Sequence, residues 1–330
     1  MSVSRLRNMS GPCVVALALL LCSAIVTGCG GRTPDGPARS GAAVTVFTSI
    51  PPQAFLAESI GGDRIDVRVL LRPSDNPHTF KPTPRQVSEL ASADIFFTAG
   101  IPFEEQLVTK VPDRARFSVV DTSAGIERRA MTGRGAHSEE ASEHDGVDEN
   151  AHAGARKDPH TWMSPMLAQK HAENICDALK EQDPAGAETY EKNLEALKKK
   201  FDELDGRLRR TLQPVRGRTM YVFHPAYGYF ADAYGLRQAP IQVEGKSPGA
   251  QQLSEIVERA WAENVRAIFV QPQFSAKRAR AVARAVGAEV VPLDPLARDY
   301  VRNMEQIAVR VRDALADAPA SEDTSAEGGS

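Results

Sequence analysis

Residues 184–213 constrain the fold of this chain more than any other stretch. Tyr190, Leu194, Leu197, Phe201, Leu204, Leu208 and Leu212 recur at spacings of four and three, so they line one face of a helix. Glu, Lys and Arg fill the remaining faces. Asp183 stands at an N-cap position with Pro184 behind it, and Pro214 closes the run. At about 1.5 Å per residue the helix is roughly 40 Å long, longer than one small lobe is wide. Such a rod reads as a spine joining two lobes. The rival, a coiled-coil dimer, asks for a longer stripe.

On both sides of the spine strand and helix alternate. Before it, strands are expected at 43–49, 65–71, 94–99 and 117–120, with helices at 51–60, 84–93, 103–111 and 164–181. After it, strands are expected at 219–223, 239–243, 267–271 and 289–293, with helices at 226–234, 250–263, 275–286 and 301–315. This alternation predicts an α/β fold: two lobes, each a parallel sheet covered by helices, bridged by one long rigid helix. A chain of 330 residues, 42 % hydrophobic, is long enough for both cores. A formal charge of -3 gives no reason to expect a nucleic-acid partner.

The N-terminus reads as a targeting segment, residues 1–28. Arg5 and Arg7 are its positive region, and Val14 to Val26 its apolar stretch, too short to span a membrane comfortably. Val26-Thr27-Gly28-Cys29 resembles a bacterial lipobox, so Cys29 is the expected lipidation site and first mature residue. Residues 29–42, rich in Gly, Pro, Arg and Ser, form a flexible tether. The expected location is outside the cytoplasm, periplasm or cell surface, anchored through lipid. Cys13 and Cys22 leave with the leader, so Cys176 is left alone and no internal disulfide is expected. Cys176 falls on a helix as a small buried residue.

The first lobe is assigned to 43–183, the linking helix to 184–213, the second lobe to 214–318, and a polar tail to 319–330. Within the first lobe, 131–158 breaks the alternation. It mixes His137, His144 and His152 with Glu139, Glu140, Glu143, Asp145, Asp148 and Glu149. Such a stretch is too polar to order itself. Its imidazoles and carboxylates make it either an auxiliary metal-gathering loop or a solvated insertion.

Four residues carry the candidate chemistry. His78, His160, His224 and Asp294 each lie in a loop beyond an expected strand, each beside a proline: Pro77, Pro159, Pro225 and Pro295. Open parallel sheets bind ligands outside the carboxyl ends of their strands. If the two lobes face one cleft, the four side chains converge there on stiffened backbone. Three imidazoles and one carboxylate suit a four-coordinate Zn²⁺. Taken singly, each histidine also reads as a surface residue and Asp294 as a turn former. His171, within the helix at 164–181, is read as a helix-surface residue. Trp162, Phe223, Tyr227, Tyr229 and Phe230 are expected to pack around the ligands, and Glu244 and Ser247 to stand at the cleft edge.

The blocks NPHTFKPTP, DPHTWMSP, FHPAYGYFADAYGL, VEGKSPGAQQLSEIV and PLDPLARDYVRNM resemble the metal-binding proteins of bacterial ABC-type zinc and manganese importers. The resemblance runs from about Val44 to Leu315. It implies two α/β lobes on a rigid helix, a divalent metal as cargo, a membrane permease as partner, a monomer, and no enzymatic activity. The family's ligand positions fall on His78, His160, His224 and Asp294. Manganese members commonly carry a carboxylate at the third position, so His224 implies Zn²⁺, with Mn²⁺ the alternative. Zinc members often carry a His-rich acidic loop before the second ligand, as here.

Two other classes stay open at this stage. A zinc hydrolase would use three histidines, a metal-bound water and Asp294 as base, although H-E-x-x-H and a serine nucleophile elbow are missing. A surface adhesin with a structural metal would lose its fold with the metal. For metal capture, affinity is expected to fall below about pH 6, as imidazoles protonate.

Overall fold

The computed structural model describes residues 43–111, 117–131, 157–242 and 249–316. The leader, Cys29, the tether, His137, His144, His152, Glu244, Ser247 and the tail from 317 lie outside the described residues.

The first lobe runs β1 (Val44–Thr48), α1 (Pro51–Gly61), β2 (Ile65–Val69), α2 (Pro84–Leu90), β3 (Ile95–Thr98), α3 (Pro102–Val108), β4 (Ser118–Asp121) and α4 (Pro165–Gln182). After α5 (Ala187–Leu212), the second runs β5 (Thr219–Val222), α6 (Gly228–Tyr234), β6 (Arg237–Pro240), α7 (Ala250–Ala262), β7 (Ala267–Val270), α8 (Ala276–Val286), β8 (Glu289–Pro292) and α9 (Tyr300–Ala316). Both sheets are parallel throughout. Their orders are β2-β1-β3-β4 and β6-β5-β7-β8, the same order twice. The strand order therefore reverses beside β1 and β3 in one sheet and beside β5 and β7 in the other. Those switch points are where an open α/β sheet leaves a crevice.

Local chemistry explains the boundaries. Val46, Phe47, Phe96 and Phe97 bury the middle of the first sheet, as two-sided burial in a parallel sheet requires. At α2, Thr83 and Gln86 form a capping box: Gln86 N donates to Thr83 Oγ1 at 3.3 Å, and Thr83 N to Gln86 Oε1 at 3.0 Å. Gly235 and Gly287 end α6 and α8 with φ of 69° and 73°, a left-handed turn that glycine adopts without strain. Two strands differ from expectation by more than a residue: β2 ends at Val69 rather than 71, and β6 spans Arg237–Pro240 rather than 239–243. β6 pairs with β5 through Thr219 opposite Arg237, which sets its start two residues earlier.

The spine is a 26-residue α-helix, flanked by 3₁₀ turns at Pro184–Gly186 and Gln213–Val215. Tyr190, Leu197, Phe201, Leu204, Leu208 and Leu212 are its buried face. It packs on α1, α4 and α9. One apolar cluster runs from Phe47 and Leu56 through Phe201 and Leu204 to Tyr227, Phe269 and Met304, so both lobes share it. A second cluster, with Tyr221, Ile241, Ile268 and Val282, lies under α7 and α8. Cys176 is a buried free cysteine, as expected. No helix among the described residues is long and apolar enough to cross a membrane.

The reading of His171 as a surface residue is corrected: it is fully buried. It occupies the inward stripe of α4 together with Ala168, Ala172, Ile175, Cys176 and Leu179. Its Nδ1 lies 2.8 Å from Thr122 Oγ1 and its Nε2 2.7 Å from Thr161 Oγ1. Thr122 Oγ1 already donates its only proton to Thr98 O at 2.8 Å, so His171 Nδ1 is the donor and Nε2 the acceptor. Burial pushes this imidazole down to about 4, which keeps it neutral. The residue anchors Thr161, next to His160, to the first sheet.

Candidate metal centre

His78, His160 and His224 come from three separate loops and line a single cleft between the lobes. His78 lies in the loop between β2 and α2. Its backbone N donates to Asn76 Oδ1 at 2.9 Å, a local turn that fixes its entry angle. His160 heads the 3₁₀ turn before α4. His224 follows β5 by two residues, at the switch point of the second sheet. Across that switch Gln271, just past β7, clamps the backbone of His224. Gln271 Nε2 donates to His224 O at 2.7 Å, and His224 N to Gln271 Oε1 at 3.3 Å.

The imidazoles meet closely. His78 Nε2 lies 3.2 Å from His224 Nε2. The His160 and His224 rings stand 5.3 Å apart, centroid to centroid. Two nitrogens each bound at 2.0–2.1 Å to a tetrahedral Zn²⁺ are about 3.3 Å apart, so the His78–His224 separation is that of neighbouring ligands. Phe274 stacks on His224 at 4.9 Å and dries the site. His224 is buried, which together with any positive charge on His160 or His78 holds it well below the ordinary imidazole range. It is therefore neutral and able to donate a lone pair at ordinary pH.

Asp158 stands behind His160. Asp158 Oδ1 lies 2.7 Å from His160 Nδ1 and accepts from His160 N at 3.0 Å. An ionised carboxylate can only accept, so the His160 proton sits on Nδ1 and Nε2 keeps its lone pair.

Asp294, just past β8, adjoins the cleft without forming part of its wall. Its Oδ1 accepts from Gln273 Nε2 at 2.8 Å and from Leu296 N at 2.9 Å, and both of those residues do line the cleft. Among the described residues no group of three or more His, Cys, Asp or Glu side chains stands close enough together to hold a metal ion as it is. The three imidazoles are gathered, while the Asp294 carboxylate is tied to its neighbours.

The aromatic residues named from the sequence are all buried, and three of them bond around the cleft. Trp162 Nε1 donates to Pro295 O at 2.9 Å, Tyr229 Oη to Asp158 O at 3.0 Å, and Tyr227 Oη to Leu293 O at 2.8 Å. The first two bonds cross between lobes. Sequence reasoning missed Asp158, Gln271 and Gln273. The Asp-Pro-His spacing was a usable signal for the first, since a carboxylate two residues before a histidine can reach its Nδ1.

A family model described as zinc-uptake complex component A, periplasmic, matches residues 46–314. The high-affinity zinc uptake system protein ZnuA of Bacillus subtilis (strain 168) is 33 % identical over 299 residues, covering 88 % of this chain and 89 % of that protein. The manganese-binding lipoprotein MntA of Halalkalibacterium halodurans is 27 % identical, covering 83 % and 86 %. A crystal structure of a ZnuA deletion mutant with zinc bound superposes with a TM-score of 0.74 at 35 % identity, covering 84 % of this chain and all of that one.

Proposed function

The chain belongs to the periplasmic zinc-uptake component A family, and from that premise we propose that it captures extracytoplasmic Zn²⁺ in the cleft between its lobes and delivers it to the permease of an ABC importer. The observation that carries this reading is the 3.2 Å approach of His78 Nε2 to His224 Nε2, a tetrahedral edge with His160 beside it. In this proposal His78, His160 and His224 bind through nitrogen and Asp294 supplies the fourth donor. The nitrogen-rich set favours Zn²⁺ over the harder Mn²⁺. A manganese cargo is the second reading, supported by the resemblance to a manganese-binding lipoprotein.

The four side chains then capture and release an ion, with no bond made or broken in a substrate. Residues 43–183 and 214–318 act as the two metal-gripping lobes and the helix between them as a stiff strut. Because α5 is shared by the common core, loading reshapes the loops around the cleft rather than swinging whole lobes. Residues 1–28 are proposed as a signal peptide, and 29–42 as a tether lipidated at Cys29 that holds a monomer at the membrane. The loop 131–158, with His137, His144 and His152, is proposed as an auxiliary gatherer of metal.

Native mass spectrometry of the purified protein with Zn²⁺ and with Mn²⁺, repeated on His224→Ala, tests the assignment. One tightly held zinc per chain, lost in the variant, is expected. Equal zinc occupancy in His224→Ala would overturn it.

A further inference from the structure

We propose that Gln273 sets the metal preference of this site by restricting Asp294 to one donor oxygen; the inference rests on the metal-capture reading above. Gln273 Nε2 donates to Asp294 Oδ1 at 2.8 Å and to Pro73 O at 2.9 Å. Leu296 N donates to the same Oδ1 at 2.9 Å. Two donors on one carboxylate oxygen occupy both of its lone-pair directions. Only Oδ2 is then able to bind a cation. Three imidazole nitrogens and one oxygen make a four-coordinate site, which suits Zn²⁺. Mn²⁺ is served by more oxygen ligands, which a two-oxygen grip by Asp294 would begin to supply.

The orientation of the Gln273 amide follows from its partners. Both are acceptors, so the flipped amide would set oxygen against two oxygens. Gln273 is 7 % exposed, and its Oε1 is buried without a hydrogen-bond partner among the described residues. A buried carbonyl left in that state costs free energy. The side chain is thus held where it is by its nitrogen alone. That nitrogen spans the lobes: Pro73 belongs to the loop that carries His78, and Asp294 to the loop after β8. One amide therefore fixes the reach of the carboxylate relative to an imidazole of the opposite lobe.

Gln273→Met removes the donor at nearly constant length, and Gln273→Leu is a second donor-free variant. Chelator competition on the whole protein measures Zn²⁺ and Mn²⁺ affinity, and Co²⁺ serves as a spectroscopic probe of coordination number. In both variants the zinc-to-manganese preference is expected to fall roughly tenfold, the scale on which partners of metal ligands act. The cobalt visible bands, intense for four ligands, are expected to weaken as Asp294 supplies its second oxygen. An unchanged preference with an unchanged cobalt spectrum overturns the inference. So does a wild-type cobalt spectrum of five or six ligands, whether or not the variants fold. If wild-type protein holds no zinc, the capture reading itself falls. If it holds zinc and only the variants fail to shift, Gln273 alone loses its role.

Discussion

Asp158 Oδ1 stands 2.7 Å from Nδ1 of His160, and both residues are buried. The contact fixes the ring's tautomer and strengthens Nε2 as a donor. Asp158→Asn keeps the shape and removes the charge. Zinc affinity is expected to fall roughly 10-fold or more, measured by chelator competition, with the far-ultraviolet circular dichroism unchanged. Wild-type affinity in that variant would mean that His160 needs no such support.

Proton counting gives a second test. A metal-bound imidazole must be neutral, so each ring that is protonated in the free protein releases a proton on binding. His224 is held well below the ordinary imidazole range, first by burial and then by any positive charge on His160 and His78. It is already neutral at about pH 6, near the ordinary imidazole value. Titration calorimetry in buffers of different ionisation enthalpy should therefore show fewer than two protons released per zinc at that pH, where three ordinary imidazoles would release about 2.3. The loss of affinity attributable to His224 should arrive at more acid pH than three ordinary histidines would give. Release of more than two protons per zinc would contradict this.

His171 governs part of the acid stability. Its value is 6.5 when unperturbed and about 4 in the fold. Between those limits the unfolded chain binds a proton that the folded chain does not, so stability is lost as pH falls from about 6.5 to about 4. The loss is about 3 kcal/mol at most. Glu104 works in the opposite direction: burial pushes it up to about 7, against three backbone amides that pull it down. Its share is present below its unperturbed value and lost as pH rises through about 7. Urea unfolding of metal-free His171→Gln from pH 7 to pH 4 should therefore show a shallower acid decline than wild type. Parallel curves would refute the assignment.

Gly206 lies inside α5, where a Cβ would meet only Arg210 Nη1 at 3.5 Å, an ordinary contact. Gly206→Ala should stabilise the protein by about 0.5–1 kcal/mol, because glycine loses more backbone freedom in a helix interior. The urea midpoint should rise with an unchanged slope. A lower midpoint would show that α5 uses the glycine for bending.

The spine was legible in the sequence because its apolar residues repeat at helical spacing, and the two sheets because strand and helix alternate. That His78, His160 and His224 share one cleft was legible because loops after strands in a parallel sheet share one edge, and the prolines beside them marked those loops. His171 was misread because a lone polar residue on a helix suggests solvent. Its place on the stripe with Ala168, Ile175 and Leu179 was visible, but its partners Thr122 and Thr161 come from outside the helix. Gln273 carried no signal, since its value lies in two acceptors distant along the chain: Pro73 and Asp294.

The apolar cluster threaded through both halves has a calorimetric consequence. Neither half can shed its interior without opening the other's, so heating should give one cooperative melting peak, with calorimetric and van't Hoff enthalpies in agreement. The region under α7 and α8, which keeps its own separate cluster, is the segment whose amides should exchange with deuterium ahead of that peak.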